Sequence, residues 1–474
     1  MTKSIRAVVA ASLAFGVGAC TGLEARYRQP PLPVPDAWPI PAATRDGAAA
    51  DIGWSVFFQD ERLRKLIALA LANNRDLRVA VLSVEKARAV YRVQQAARLP
   101  EIDTKGSLTR ERVSQLQFGR PGSAGGEVVQ FYSAGFGVTS FELDLFGRVA
   151  SLSHAALQKY MAEVEARRAA QLTLVAEVAN AYLTLAADSE HVRVGAQTLA
   201  SQEALYRLTE QRHALGAVSA LDLSQARTTV ESARTDAARY DGAVAVDRNA
   251  LALLVGTTVD EALLPDNLDS GVTGLEPLPA GLPSTVLLRR PDVRQAEHAL
   301  RAANATIGAA RAAFFPSITL TGNVGSTSTE LAGLFKSGTG TWSFMPQVSI
   351  PIFSAGALRA NLHEANADRD IALARYERSI QSAFRETADA LALTDTLRRQ
   401  VDSQHALAAA AARAFELSDA RFKAGKDSYL LLLDSQRSDY AARQALIAAR
   451  LAEQSNRVTL YKVLGGGWLE TPAS

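Results

Sequence analysis

The chain has 474 residues and nearly cancelling charge, 51 Lys plus Arg against 49 Asp plus Glu for a net +2, which excludes the strongly basic balance of a nucleic-acid-binding protein. Hydrophobic residues reach 48% but aromatics only 7%, a composition that points to long helices packed through small side chains. Cys20 is the single cysteine, so an intrachain disulfide and a Cys-based zinc site are excluded. The six histidines form no HExxH or i, i+4 pair, and neither metal nor cofactor is expected.

Lys3 and Arg6 precede about eleven mostly apolar residues from Ala7 to Val17, the length of a signal-peptide core and too short for a membrane span. Gly18 and Ala19 then lead to Cys20, a pattern that resembles a bacterial lipobox, with Val17 where leucine is commoner. The expectation is a signal peptide over residues 1–19 and lipidation of Cys20, whose acyl chains contribute about 0.8 kcal/mol per buried CH₂. An ordinary signal peptide with an incidental cysteine is the plainer alternative. Thr21 stands where an aspartate would resemble an inner-membrane retention signal, which favours the outer membrane. Pro30, Pro31, Pro33, Pro35, Pro39 and Pro41 make residues 20–53 an extended strap.

The remainder reads as one unit built twice, over residues 54–256 and 291–465, with a linker at 257–290 and a tail at 466–474. Glu177, Gly216 and Val255-Gly256 recur as Glu386, Gly425 and Leu464-Gly465 at one constant offset. Asp76, Arg78 and Pro100 recur as Asp292, Arg294 and Pro316 at a slightly larger one. The offset changes only across a loop of the first copy, where a duplication tolerates insertion. Each copy predicts a helix, a strand pair, a very long helix, a sharp turn and another helix. Between Gly356 and Gly425 roughly 68 residues contain neither glycine nor proline, enough for a helix of about 100 Å. The turns, at about 214–219 and 423–428, carry Gly216 and Gly425 where a left-handed cap ends a helix.

The strand regions, about 101–146 and 317–353, alternate with period two. Ile318, Leu320, Gly322 and Val324 oppose Ser317, Thr319, Thr321 and Asn323, and Trp342, Phe344 and Val348 oppose Ser343, Gln347 and Ser349. In the first copy Tyr132, Phe136 and Val138 hold even parity and Phe141, Leu143 and Leu145 hold odd, which predicts a bulge near Ser140. A half-buried hairpin and a membrane-barrel strand fit this pattern equally well. Four strands leave two open edges, so strands that did span lipid would need further copies to close a barrel. Trp342, Phe344, Phe141 and Phe146 are candidates for an interfacial girdle.

Four stretches resemble the TolC/OprM-like outer-membrane efflux proteins, and among them the NodT-type lipoproteins: Trp54-Ser-Val-Phe-Phe-Gln-Asp60, Arg290-Pro-Asp-Val-Arg-Gln-Ala-Glu297, Ile307-Gly-Ala-Ala-Arg-Ala-Ala-Phe-Phe-Pro316 and Ser428-Tyr-Leu-Leu-Leu-Leu-Asp-Ser-Gln-Arg437. The resemblance implies a mainly α protein with a small β part, forming a homotrimeric 12-stranded outer-membrane barrel continued by a long α-helical periplasmic barrel. It implies a passive, non-enzymatic exit duct of a tripartite efflux pump. The partners would be a periplasmic adaptor (membrane fusion protein), an inner-membrane pump of RND type and outer-membrane lipid, with no nucleic acid.

Leu430, Asp434 and Arg437 match the family's periplasmic aperture. Their i, i+4, i+7 spacing puts them on one helix face, where three-fold symmetry would make rings of leucine, carboxylate and arginine. A solvated Asp434–Arg437 pair is the plainer alternative. Leu431 and Asp427 stand where some members carry an acidic residue and an arginine. The first copy has Leu221, Gln225 and Thr228 at the corresponding positions. Gly216 and Ala217, with Gly425 and Lys426, are the expected adaptor-docking tips. A type I protein-secretion duct and a lipid-anchored scaffold without a pore are the competing readings.

Overall fold

The computed structural model describes residues 23–36, 38, 53–114, 126–268 and 284–466. Cys20, much of the expected strap, the centre of the linker and nearly all of the tail lie outside them. In chain order the main elements are helices α1 (Trp54–Phe57), α2 (Glu61–Asn73) and α3 (Arg75–Ala96), strands β1 (Ile102–Ser114) and β2 (Gly126–Leu143), and helices α4 (Arg148–Ala214) and α5 (Ala220–Val255). Helix α6 (Pro291–Ala312), strands β3 (Ser317–Ser328) and β4 (Gly340–Ser349), and helices α7 (Ala357–Lys423) and α8 (Tyr429–Val463) follow. The repetition is close: α3 and α6 each have 22 residues, and α4 and α7 each have 67. Two units result, Met1–Pro30 with Val84–Ala162 and Ala296–Tyr376, and Pro31–Ser83 with Glu163–Gln295 and Glu377–Ser474.

The first unit holds one antiparallel sheet in the order β1-β2-β3-β4, so the two repeats meet where β2 pairs with β3. Register runs from Val138↔Gly322 to Phe141↔Leu320 with a slip between them, and Ser140 sits there at φ 57°. The bulge is therefore where the parity switch placed it. An extra residue turns Phe141 and Leu143 back to the face that Phe136 and Val138 occupy. One face carries Ile102, Leu108, Phe136, Val324, Phe344 and Trp342, and the other carries Asp103, Lys105, Ser107, Ser133, Thr321 and Ser343. On the polar face Lys105 donates to Thr139 at 3.0 Å, and Ser107 and Ser133 share a 2.8 Å bond.

The apolar face is bare within the chain. Trp342 is 78% exposed and Phe344 60%, and Phe136, Val324 and Val348 are similarly open. A half-buried hairpin would have covered them. Phe146 stacks on Phe315 with ring centroids 4.8 Å apart just beyond the strands.

The same unit holds the start of the described strap. Ala25 accepts from the Asn304 side chain at 2.7 Å, Tyr27 donates to Glu297 at 3.2 Å beneath the Arg301 guanidinium, and Glu24 meets His154 at 2.8 Å. Gly308 makes room: a Cβ there would lie 2.7 Å from Ser151 Oγ and 2.9 Å from Glu24 Cα. Hence the glycine of the Ile307-Gly308 motif is a backbone-clearance position.

The second unit is helical and contains the large core. Leu63, Leu66, Ile67 and Ala70 recur at helical spacing on α2 and bury one face against Val178, Tyr182, Leu251 and Val458. Phe57 stacks on Tyr461 with ring centroids 3.6 Å apart. Asp60 ends the Trp54–Asp60 motif as the N-cap of α2, accepting from the Arg62 amide at 2.8 Å and from the Tyr182 hydroxyl at 2.8 Å. In the Arg290-Pro291-Asp292 motif, proline opens α6 without losing a bond. The buried Arg290 guanidinium forks to Asp292 at 3.0 and 2.8 Å, reaches Glu386 at 2.9 Å and donates to the Val463 carbonyl at 3.0 Å. A buried cation is tolerated here because every arm finds an acceptor.

Candidate gate and docking turns

The C-terminal ends of the two long helices, α4 and α7, are finished by the same device. Gly216, at φ 71°, donates to the His213 carbonyl at 2.9 Å, and Ala217 reaches back to Arg212 at 2.8 Å. Gly425, at φ 73°, donates to Phe422 at 2.9 Å, and Lys426 reaches Arg421 at 2.9 Å. These paired bonds are Schellman caps, which satisfy two orphan carbonyls per helix and reverse the chain. Nothing lies within 4 Å of a Cβ built on either glycine. Their requirement is thus the left-handed backbone, and the turns are open on their outer side.

The two turns are then locked differently. In the first copy Ser219 and Asp222 form a capping box, the Ser219 hydroxyl accepting from the Asp222 amide at 3.1 Å and Asp222 accepting from the Ser219 amide at 3.0 Å. The second copy has Leu431 in place of Asp222, so no box forms and Ser428 makes no side-chain cap. Asp427 takes over, receiving both arms of Arg421 at 2.7 and 2.8 Å across the turn. That guanidinium holds the Asp427 carboxyl below the usual carboxylate range, while the same bonds hold Arg421 upward. The pair straddles Gly425 and ties the last turn of α7 to the start of α8.

Below the turns the hairpins share one small core of Leu205, Ala226, Phe422, Tyr429, Leu432 and Leu433. Phe422 and Tyr429 meet edge to face at 6.0 Å, and the Arg212 guanidinium lies 4.9 Å over the Phe422 ring. This core sets the rotation of α8. Leu432 is fully buried and Leu433 nearly so, whereas Leu430 is 63% exposed. Leu431, Asp434 and Arg437 are exposed with it. The expected aperture residues therefore share one free face, pointing away from the core that fixes them. Among the described residues Asp434 and Arg437 form no ion pair with each other, so the i, i+3 pairing that would have absorbed them is not made.

Sequence reading missed the Arg421–Asp427 clamp, the seat of Arg212 on Phe422, and the docking of Glu24, Tyr27 and Ala25 on α4 and α6. Arg212 and Arg421 occupy equivalent repeat positions, which is the signal that was present for the first two.

The profile of the family described as outer membrane efflux protein matches residues 66–257 and 282–466, well over half of the chain. A probable efflux pump outer membrane protein TtgC of Pseudomonas putida is 46% identical over 99% of this chain and 97% of its own length. The outer membrane protein OprJ of Pseudomonas aeruginosa is 44% identical over 99% and 98%. Among solved structures, the open-state MtrE outer membrane channel of Neisseria gonorrhoeae superposes with a TM-score of 0.86 at 41% identity, covering 94% of this chain and 98% of that one. The four-stranded sheet with its bare apolar face, the paired 67-residue helices and these full-length matches agree: the chain belongs to the outer membrane efflux protein family and is an outer-membrane efflux channel.

Proposed function

We propose that three copies of the chain close a 12-stranded barrel in the outer membrane and serve as the passive exit duct of a tripartite pump, anchored additionally by acyl chains on Cys20. The bare apolar face of the sheet carries this reading, because two open strand edges are not tolerated in lipid and four strands are half the usual minimum for closure. The docked start of the strap supports the anchor. Leu23, three residues past Cys20, accepts from Arg311 in the last turn of α6, six residues before β3 begins.

Relatives are named as toluene and antibiotic efflux components, which favours small toxic compounds over secreted protein as cargo. A periplasmic adaptor docks at the open turns around Gly216, Ala217, Gly425 and Lys426, and an RND-type inner-membrane pump supplies the energy. Leu430, Asp434 and Arg437 line the periplasmic aperture. Like charges near a three-fold axis repel and draw cations inward, which makes the constriction selective until the helices splay. In the domain scheme, residues 1–19 are removed, 54–256 and 291–465 are the two repeats, and residues near 54–62, 257–290 and 465–474 form the equatorial band that the family resemblance implies.

Planar-bilayer recording tests this directly. The purified protein is expected to insert and conduct, and Asp434→Ala is expected to raise conductance and weaken cation preference. Absence of conductance from both proteins contradicts the duct, and equal conductance and selectivity contradict the carboxylate gate.

A further inference from the structure

The loop that joins β3 to β4 folds back on the sheet, and it does so on one particular face. Ser326 and Ser328 share parity with Leu320 and Val324, and their partners on β2 are Ala134 and Tyr132, so both continue the bare apolar face past Trp342. The loop hangs on these two side chains. Ser326 Oγ donates to the Leu334 carbonyl and lies 3.0 Å from the Thr339 carbonyl, and Ser328 Oγ accepts from the Glu330 amide at 3.2 Å. Gly333 is buried against the same spot, where a Cβ would lie 2.8 Å from Ser328 Oγ.

The backbone of the loop is fixed as well. A 3₁₀ turn at Leu331–Gly333 is followed by bonds from the Lys336 amide to the Gly333 carbonyl at 3.1 Å and from the Thr339 hydroxyl to the Lys336 carbonyl at 2.8 Å. The loop buries an apolar residue of its own, Leu334. Phe335 nevertheless stays 81% exposed and Leu331 65%. Two large apolar side chains are thus held out from a shaped segment.

Height gives them a setting. The run from Ile318 to Ser328 rises about 25 Å at ~3.3 Å per residue and ~40° of tilt, the height of an outer-membrane apolar band. Trp342 and Tyr132, near the upper limit of that run, are rings with a polar tip, the type that suits a headgroup boundary. This end is the outer one in the proposed duct, since all four strands join helices at the opposite end.

We infer that the β3–β4 loop is a lipid-docking surface, with Phe335 and Leu331 set into the boundary between acyl chains and headgroups of the outer leaflet. Apolar area is buried there at little ordering cost, because the loop is already shaped. Lys336 follows Phe335, and its long stem carries a cation back to the headgroups. A barrel neighbour pairs along the β1 and β4 edges, whereas Ser326 and Ser328 hold the loop on the outward face, so lipid rather than a second copy is the occupant. Three such loops fix the height and tilt of the barrel at its outer end. This rests on the reading that the apolar face meets lipid.

The test uses the full protein in vesicles of phosphatidylcholine and phosphatidylglycerol, with a nitrobenzoxadiazole label on Leu331→Cys or Phe335→Cys. Unsubstituted protein labelled in parallel gives the background from Cys20. Val324→Cys on the apolar face and Thr341→Cys on the polar face set the lipid and water limits. The labels at 331 and 335 are expected to be quenched severalfold more than the Thr341 label by nitroxide-bearing phosphatidylcholine, and severalfold less by iodide. Adding Phe335→Asp to the Leu331→Cys protein should lower its lipid quenching severalfold. Labels at 331 and 335 that iodide reaches as well as it reaches Thr341, or that neither quencher reaches because a second copy covers them, overturn the proposal. So does lipid quenching that Phe335→Asp leaves unchanged. A Val324 label that lipid nitroxide fails to quench refutes the lipid-facing sheet itself, and the docking surface with it, so the two failures are distinguishable.

Discussion

At the turn between α7 and α8 the Arg421–Asp427 pair does locally what the Ser219–Asp222 box does in the first copy. Because the folded-state carboxyl is held below its ordinary value, its contribution is complete above that value and is lost only as pH falls through the lower one. The clamp thus persists across neutral and mildly acidic conditions. Asp247 on α5 is the opposite case. Burial and the neighbouring Asp188 carboxylate push it up to about 6, and its Oδ2 is buried without a partner. A carboxyl raised above its unfolded value binds its proton more tightly when folded, so stability falls as pH rises from about 3.8 to about 6. Asp247→Asn removes that loss. The expected gain is about 1 kcal/mol above pH 6, discounted for partial solvent exposure, and close to nothing below pH 4. Thermal unfolding of both proteins at pH 4 and 7.5 checks this, and an equal gain at the two pH values contradicts it.

Among elements, what was legible followed from local rules. Period-two alternation and its parity switch fixed the two faces of the sheet and the Ser140 bulge, because side-chain direction along a strand depends only on residue count. The glycine turns were legible because few residues tolerate φ near +70°. The exposed placement of Leu430, Asp434 and Arg437 on one face followed from helical spacing, but the burial of Leu432 and Leu433 on the other needed the shared core with Phe422 and Tyr429. The docking of the strap was unreadable for the same reason: Glu24, Ala25 and Tyr27 dock on side chains more than a hundred residues away, which no periodicity encodes. Gly308 is the clearance position for that docking. Gly308→Val drives a side chain into Ser151 and Glu24, at a cost of about 1–3 kcal/mol for overpacking, and should release the strap while leaving the sheet intact. Limited trypsin digestion should then cut after Arg26 and Arg28 at least severalfold faster than in wild type. Unchanged cleavage would show that the strap is held elsewhere.

For the whole molecule, alanine-rich and aromatic-poor composition, near-zero net charge and internal duplication belong together. Long helices pack through small side chains, while the scarce aromatics go to the sheet, to the α1–α2 core and to the turns. A single chain nevertheless leaves two needs unmet, a bare apolar face and two free edges, β1 and β4, at opposite sides of one sheet. Both are met if β1 of one copy pairs with β4 of the next around a three-fold axis. Cysteine cross-linking in outer membranes tests this most directly. Cys20 is the only native cysteine, and the sheet order keeps β1 and β4 apart within one chain. A panel combining Thr104→Cys or Ser107→Cys with Thr341→Cys or Ser343→Cys therefore reports contacts between copies. Oxidation is expected to give a covalent ladder ending at the trimer for at least one pair. Persistence of monomer for every pair, or a ladder ending at the dimer, would contradict closure of the barrel by three copies.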